Sequence, residues 1–160
     1  MIEAWFDGSC GPNNPGGTAA FGAFAKLGAG VVWEKSVVIG SGHGMTNNLA
    51  EHAGCLAILE WLIEFGGGRT RAVIFGDSKL VIEQIGGRWK IRRGSYVEMA
   101  LRSRSVLTKF VVKPRFVWIP REQNKIADAL SKAHLEMSVP TERELDMRHV
   151  AGLRASGLLF

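Results

Sequence analysis

The sequence predicts an α/β fold, a mixed five-stranded sheet flanked by helices in the order βββαβααβα. Three observations predict it. Three strand-like runs follow one another before any helical pattern begins. A long, mostly apolar helical stretch then follows. Two shorter strand-like runs alternate with helical segments after it.

The elements are justified in order. Ile2 to Ser9 reads as the first strand, an apolar run that reaches an aspartate, Asp7, and passes into a loop rich in Gly, Asn and Pro. Thr18 to Leu27 and Val31 to Ile39 read as the next two strands, joined at Gly28-Ala29-Gly30, which makes an antiparallel meander. Leu49 to Phe65 reads as a long helix. Asn48 with Glu51 three residues on forms a capping-box pattern at its start, and Gly66-Gly67-Gly68 marks its end. Arg71 to Gly76 is the fourth strand. Ser78 to Ile85 is a short helix stopped by Gly86-Gly87, and Tyr96 to Phe110 is a third helix. Arg115 to Ile119 is the fifth strand, closed by Pro120, and Glu122 to Leu135 is the last helix. Residues 1–136 are thus expected to form one domain. From residue 137 to residue 160 the pattern weakens. Leu145, Met147, Val150, Leu153, Leu158, Leu159 and Phe160 are expected to pack back on that domain.

The 160 residues suffice for one domain with a sizeable core, and 46% hydrophobic with 22% charged is an ordinary globular balance. No apolar run reaches membrane-spanning length, and Met1 passes at once into strand-like residues, which argues against a signal or transit peptide. The two cysteines, Cys10 and Cys55, are too few and too far apart for a disulfide scaffold or a zinc knuckle. His43, His52, His134 and His149 form no ligand pattern with them. A reduced, cytoplasmic setting is expected. The net charge of +5 is compatible with a polyanionic partner, although many basic proteins bind no nucleic acid. The stretch RWKIRRGSY is more informative. It sets Arg88, Lys90, Arg92 and Arg93 around Trp89 and near Tyr96, a combination that can grip phosphates and stack on a sugar or base.

Four carboxylates stand out by position. Asp7 is expected to end the first strand and Asp77 the fourth. Glu51 lies in the first turn of the long helix, and Asp128 lies within the last one. At helical spacing Glu51 stacks with Cys55, Ile58 and Leu62, so it points along a buried-looking face. Each has a plain structural reading. Asp7 can begin an Asp-Gly turn, Asp77 can cap the next helix, Glu51 can serve the capping box, and Asp128 can be a solvated helix position. If the first and fourth strands are neighbours, however, Asp7 and Asp77 meet at adjacent strand ends, and a helix on the sheet can bring Glu51 there. Such a cluster repels itself unless cations neutralise it, and oxygen-only ligands suit Mg²⁺ or Mn²⁺.

Four blocks in this order, FDGSCGPNNPGGTAAFGA, TNNLAEHAGCLAILEWL, FGDSKLVIEQI and WIPREQNKIADALSKA, resemble those of the type 1 ribonucleases H. The resemblance runs from about Ile2 to His134. It implies the ribonuclease H-like fold, with three antiparallel strands followed by two parallel ones. It also implies an endoribonuclease that cuts the RNA strand of RNA–DNA hybrids. Two metal ions, Mg²⁺ with Mn²⁺ as substitute, would be held by Asp7, Glu51, Asp77 and Asp128, and the products would carry a 5′ phosphate and a 3′ hydroxyl. The protein would act as a monomer, on nucleic acid and not at a membrane.

The same resemblance implies substrate contacts. The loop with Gly8, Ser9, Cys10, Asn13 and Asn14 would meet the RNA minor groove, where backbone groups and Glu51 sense 2′-hydroxyls. Thr46 would belong to a DNA-phosphate pocket, and Asn47 and Asn48 would touch the minor groove; helix capping is the alternative for all three. Trp89 would line the DNA-strand channel, or else be a core tryptophan. Ser78 and Lys79 follow Asp77, and Lys79 stands where some relatives carry glutamine. Two departures are visible. The short WIPREQNK has no histidine where many relatives carry a mobile one, so Arg121, Glu122 or Asn124 would contact substrate or product instead. The long basic helix of some relatives is reduced to RWKIRRGS.

Two rival readings remain. A 3′ exonuclease on a related fold usually has a glutamate two residues after the first aspartate, where this chain has Ser9. A non-catalytic hybrid-binding module would not need all four carboxylates.

Overall fold

The computed structural model describes residues 1–135. The boundary expected at residue 136, and the packing expected of the apolar positions from Leu145 to Phe160, lie outside the described residues.

Five strands, β1 (Ile2–Gly11), β2 (Thr18–Leu27), β3 (Gly30–Ser41), β4 (Ala72–Gly76) and β5 (Arg115–Trp118), form one sheet in the order β3-β2-β1-β4-β5. The first three run antiparallel, and β4 and β5 are added parallel to β1. A two-residue turn at Gly28-Ala29, with Gly28 at a φ of 62°, closes the β2–β3 hairpin between Leu27 and Gly30. Four helices complete the chain: α1 (Asn47–Gly66), α2 (Lys79–Ile85), α3 (Val97–Leu107) and α4 (Lys125–Lys132). The order βββαβααβα is the one expected. None of the described helices is long and apolar enough to cross a membrane.

Side-chain alternation along β1 sorts the two faces. Ile2, Ala4 and Phe6 are fully buried and join Ile58, Leu59 and Leu62 of α1, Ile74 of β4 and Ile82 of α2 in the core. Each such side chain contributes roughly 1.5–3 kcal/mol by leaving water. Trp5 lies on the other face, stacked between Phe24 and Phe75 with centroids 4.8 and 5.1 Å away. Helix α1 is buried nearly all round because the sheet lies on one side and α3 packs along another. Its buried His52 is held neutral, since desolvation pushes its pKa down to about 4 against a weaker opposing hydrogen bond from Gln84.

Three expectations are corrected. Strand β1 does not end near Asp7 but runs on to Gly11, because Gly8, Ser9 and Cys10 pair with Phe21, Ala20 and Ala19. Helix α1 is capped by Thr46, whose Oγ1 accepts from Leu49 N at 3.0 Å, so Asn48 and Glu51 form no capping box. The last helix is not continuous: residues Arg121–Gln123 make a 3-10 turn, Asn124 breaks the run with a φ of −114°, and α4 begins only at Lys125. The αL residue Gly67 terminates α1 as the glycine run predicts.

Candidate active site

Two close backbone approaches bring the carboxylates together. Phe6 pairs with Gly76 in parallel register, so Asp7 and Asp77 follow side by side off neighbouring strands. Gly8, the next residue of β1, lies against the first turn of α1; a Cβ there would come under 3.0 Å of Glu51 N and Cγ. The absence of that Cβ lets α1 settle far enough to bring Glu51 over β1. On the other face Asp7 pairs with Gly22 of β2. A Cβ on Gly22 would collide with Ala127 O, Leu130 Cβ and Ser131 N, so this glycine seats α4 and thereby Asp128 beside Asp7. Two hydroxyls fasten the helix there: Ser9 Oγ donates to Ser131 O at 2.8 Å and Ser36 Oγ to Leu130 O at 2.6 Å.

Asp7, Glu51 and Asp77 each place one carboxylate oxygen within 4.8 Å of the others. Asp128 adjoins this group through a hydrogen bond with Asp7, and its Oδ1 also accepts from Lys132 Nζ at 2.6 Å and lies 3.7 Å from Arg121 Nη2. The four residues come from β1, α1, the end of β4 and α4. They edge an open cleft of about 390 Å³, lined also by Gly8, Asn47, Trp118 and Arg121.

The electrostatics follow from burial and crowding. Asp7 is pushed up to about 8, first by desolvation, then by the charges of Asp77 and Glu51. Glu51 is pushed up to about 7, again mainly by desolvation, although Ser78 and Asn47 hydrogen bonds pull against it. Asp128 is lowered despite its desolvation, because Lys132, Asp7 and Arg121 favour its charged form. A buried oxygen-only cluster whose members hold protons they would otherwise shed is a donor set that fits a hard divalent cation.

The remaining expected site residues divide. Asn47 donates from Nδ2 to Glu51 Oε1 at 2.9 Å, and its backbone N–H donates to Asn14 Oδ1 at 3.1 Å. Thr46 serves as cap and also meets Ser95 Oγ at 2.9 Å; Ser95 escaped sequence reasoning because nothing local marks it. Asn48, Asn13 and Lys79 are exposed, and Arg121 is exposed beside Asp128. Trp89 is 44% exposed, which rejects the core alternative. Ser9 is committed to α4. The Cys10 thiol donates to Asn13 O and Met45 O inside its loop, so neither faces outward as a free minor-groove contact. Ser78 is buried and caps α2 through Val81 N, which also removes the capping alternative for Asp77. Asn124 is corrected outright. It is 1% exposed and donates from Nδ2 to Phe6 O at 2.9 Å, so it ties the start of α4 to β1 and cannot reach substrate. Trp118, which also went unforeseen, donates from Nε1 to Asp77 O at 3.1 Å.

Comparison with known proteins agrees with this geometry. The family model described as reverse transcriptase-like matches residues 6–134. The bifunctional protein Rv2228c of Mycobacterium tuberculosis is 35% identical over 86 residues, 54% of this chain and 23% of that protein. Ribonuclease HI of Halobacterium salinarum is 33% identical over 135 residues, 84% of this chain and 64% of that protein. The chain therefore spans less than two thirds of the length of these curated relatives. Among solved structures, RNase H1 from Halobacterium salinarum superposes with a TM-score of 0.72 at 33% identity, covering 85% of this chain and 98% of that one. LC11-RNase H1 in complex with an RNA/DNA hybrid gives 0.71 at 28% identity, covering 81% and 93%.

Proposed function

Because the chain belongs to the reverse transcriptase-like family, and within it to the type 1 ribonucleases H, we propose that it is an endoribonuclease that cleaves the RNA strand of RNA–DNA hybrids and leaves 5′-phosphate and 3′-hydroxyl ends. One observation carries this reading. Three carboxylates distant in sequence place ligand atoms within 4.8 Å of one another, with a fourth hydrogen-bonded beside them.

Asp7, Glu51, Asp77 and Asp128 would hold two Mg²⁺ ions, or Mn²⁺ in their place. Such a pair, when bound, activates water for attack on a phosphodiester and stabilises the leaving oxygen. The chain's own groups do the rest. Asn47 fixes Glu51, and the indole of Trp118 fixes the Asp77 backbone. Lys132 and Arg121 keep Asp128 ionised. Arg121 presents its guanidinium at the rim of the cleft, where a phosphate would lie. The Gly8 backbone and Glu51 line the position from which a 2′-hydroxyl is read, and that group separates RNA from DNA. Thr46, Ser95 and exposed Asn48 would receive the other strand, and Trp89 with Lys90 would continue its track.

Labelled duplexes of ~12–20 base pairs, about one to two turns of A-form helix, test the reading. Cleavage confined to the RNA of the hybrid, and abolished by EDTA, is expected. Cleavage that persists in EDTA, or that starts from DNA ends, would replace it with another class of nuclease.

A further inference from the structure

Between α2 and α3 the chain has no regular structure, yet residues 86–96 carry the basic and aromatic groups Arg88, Trp89, Lys90, Arg92 and Arg93. Something other than a ladder of backbone hydrogen bonds must hold them in place. Gln84, 1% exposed, is the centre of that hold. Its Nε2 donates to Lys90 O at 3.0 Å and to Tyr96 Oη at 3.3 Å. Its Oε1 meets His52 Nε2 at 3.0 Å, and its own carbonyl accepts from Arg104 Nη2, which also reaches Trp89 O.

The hydrogen-bond roles are fully determined. Lys90 O can only accept, so the Gln84 atom facing it is the amide nitrogen, and the atom facing His52 is the oxygen. His52 Nε2 must therefore carry the proton, which leaves Nδ1 as the bare acceptor that is buried without a partner. The His52 ring stacks on Tyr96 with centroids 4.8 Å apart and planes 7° from parallel. His52 is also the residue after Glu51 on α1. One buried chain of contacts thus runs from the helix that carries a site carboxylate to the backbone that carries Trp89 and Lys90.

We propose that Gln84, backed by His52, is a positioning residue: it holds the Trp89–Lys90 backbone at a fixed place relative to α1 and so sets the grip on the uncleaved strand of the duplex. The inference rests on the hybrid-cleaving function proposed above. A glutamine whose only duty was to fill the core would be replaceable by methionine with little effect on substrate. A glutamine that anchors the loop is not, because Lys90 O loses its donor and the loop gains freedom that binding must then remove.

Steady-state cleavage of an RNA–DNA hybrid by the full chain tests this, with Gln84→Met, which keeps the length but not the amide, and His52→Phe, which keeps the ring on Tyr96 but not the Nε2–H. Each is expected to raise KM roughly three- to tenfold, the worth of about one hydrogen bond, with kcat within about twofold. Combined with Trp89→Ala, neither should raise KM beyond Trp89→Ala alone, since both act through the same loop. An unchanged KM in both variants, a fall in kcat in place of a rise in KM, or effects that multiply with Trp89→Ala would overturn the proposal. Unfolding of both variants would assign the network to stability and overturn it too. If the parent chain leaves the hybrid uncut, the nuclease reading itself fails; if the parent cuts it and the variants share its KM, only the positioning role fails.

Discussion

Replacing Gly22 with alanine adds a single methyl group at the place where α4 rests on β2. That methyl would approach Ala127 O, Leu130 Cβ and Ser131 N, all nearer than the 3.0 Å that real Cβ atoms respect. Two of the three obstacles are backbone atoms, so no rotamer change relieves them. To restore ordinary contact the helix must retreat by an amount approaching ~1 Å, and overpacking of this kind costs about 1–3 kcal/mol. In a domain of this size that is a fall in Tm of roughly 2–12 °C. Asp128 retreats with the helix and leaves its hydrogen bond with Asp7. A misplacement near 1 Å in a catalytic constellation is worth on the order of 100-fold in rate. The assay is hybrid cleavage at saturating Mg²⁺ and well below the variant's own Tm, paired with a thermal melt. A Gly22→Ala chain with parental rate and parental Tm would refute the claim that this contact places Asp128.

Three further outcomes are expected. Asn124→Ala removes the bond to Phe6 O and should lower stability by about 1–2 kcal/mol in denaturant unfolding, with activity falling as α4 loosens. The metal-free protein should lose stability as pH rises from about 4 to about 8, read as a falling Tm. Asp7 and Glu51 bind protons more tightly folded than unfolded, so their contribution is complete below the unfolded values and lost as pH passes through about 7 and about 8; Mg²⁺ should reverse the loss most strongly at the alkaline end. Lys90→Ala should weaken hybrid binding evenly across sequences and reduce the log–log salt slope by about one, as expected for one phosphate contact.

Much of this architecture was legible in the sequence, and the exceptions share a cause. The limits of β2 and its Gly28-Ala29 turn follow from local alternation and turn chemistry, and the structure reproduces them. The end of β1 was not legible, because Gly8, Ser9 and Cys10 carry no strand propensity and are extended only by pairing with β2. Thr46, Asn47 and Asn48 can all cap a helix, and only three-dimensional placement selects Thr46. The four acidic positions were legible as a set because buried or strand-terminal carboxylates are costly without a reason. Gly22 was not, because its role is to make room for a helix more than a hundred residues later in the chain. Asn124 looked like a surface contact for the same reason that it works as a tie: a polar amide near a turn serves either end, and burial decides.

The account depends on one cluster of acids that takes up divalent ions. Calorimetric titration of the metal-free chain with Mn²⁺ near pH 7, in two buffers of different ionisation enthalpy, measures this directly. Binding accompanied by proton release, and lost in Asp7→Asn, is the predicted result. Mn²⁺ binding that survives Asp7→Asn unaltered, or uptake with no protons displaced, would contradict it.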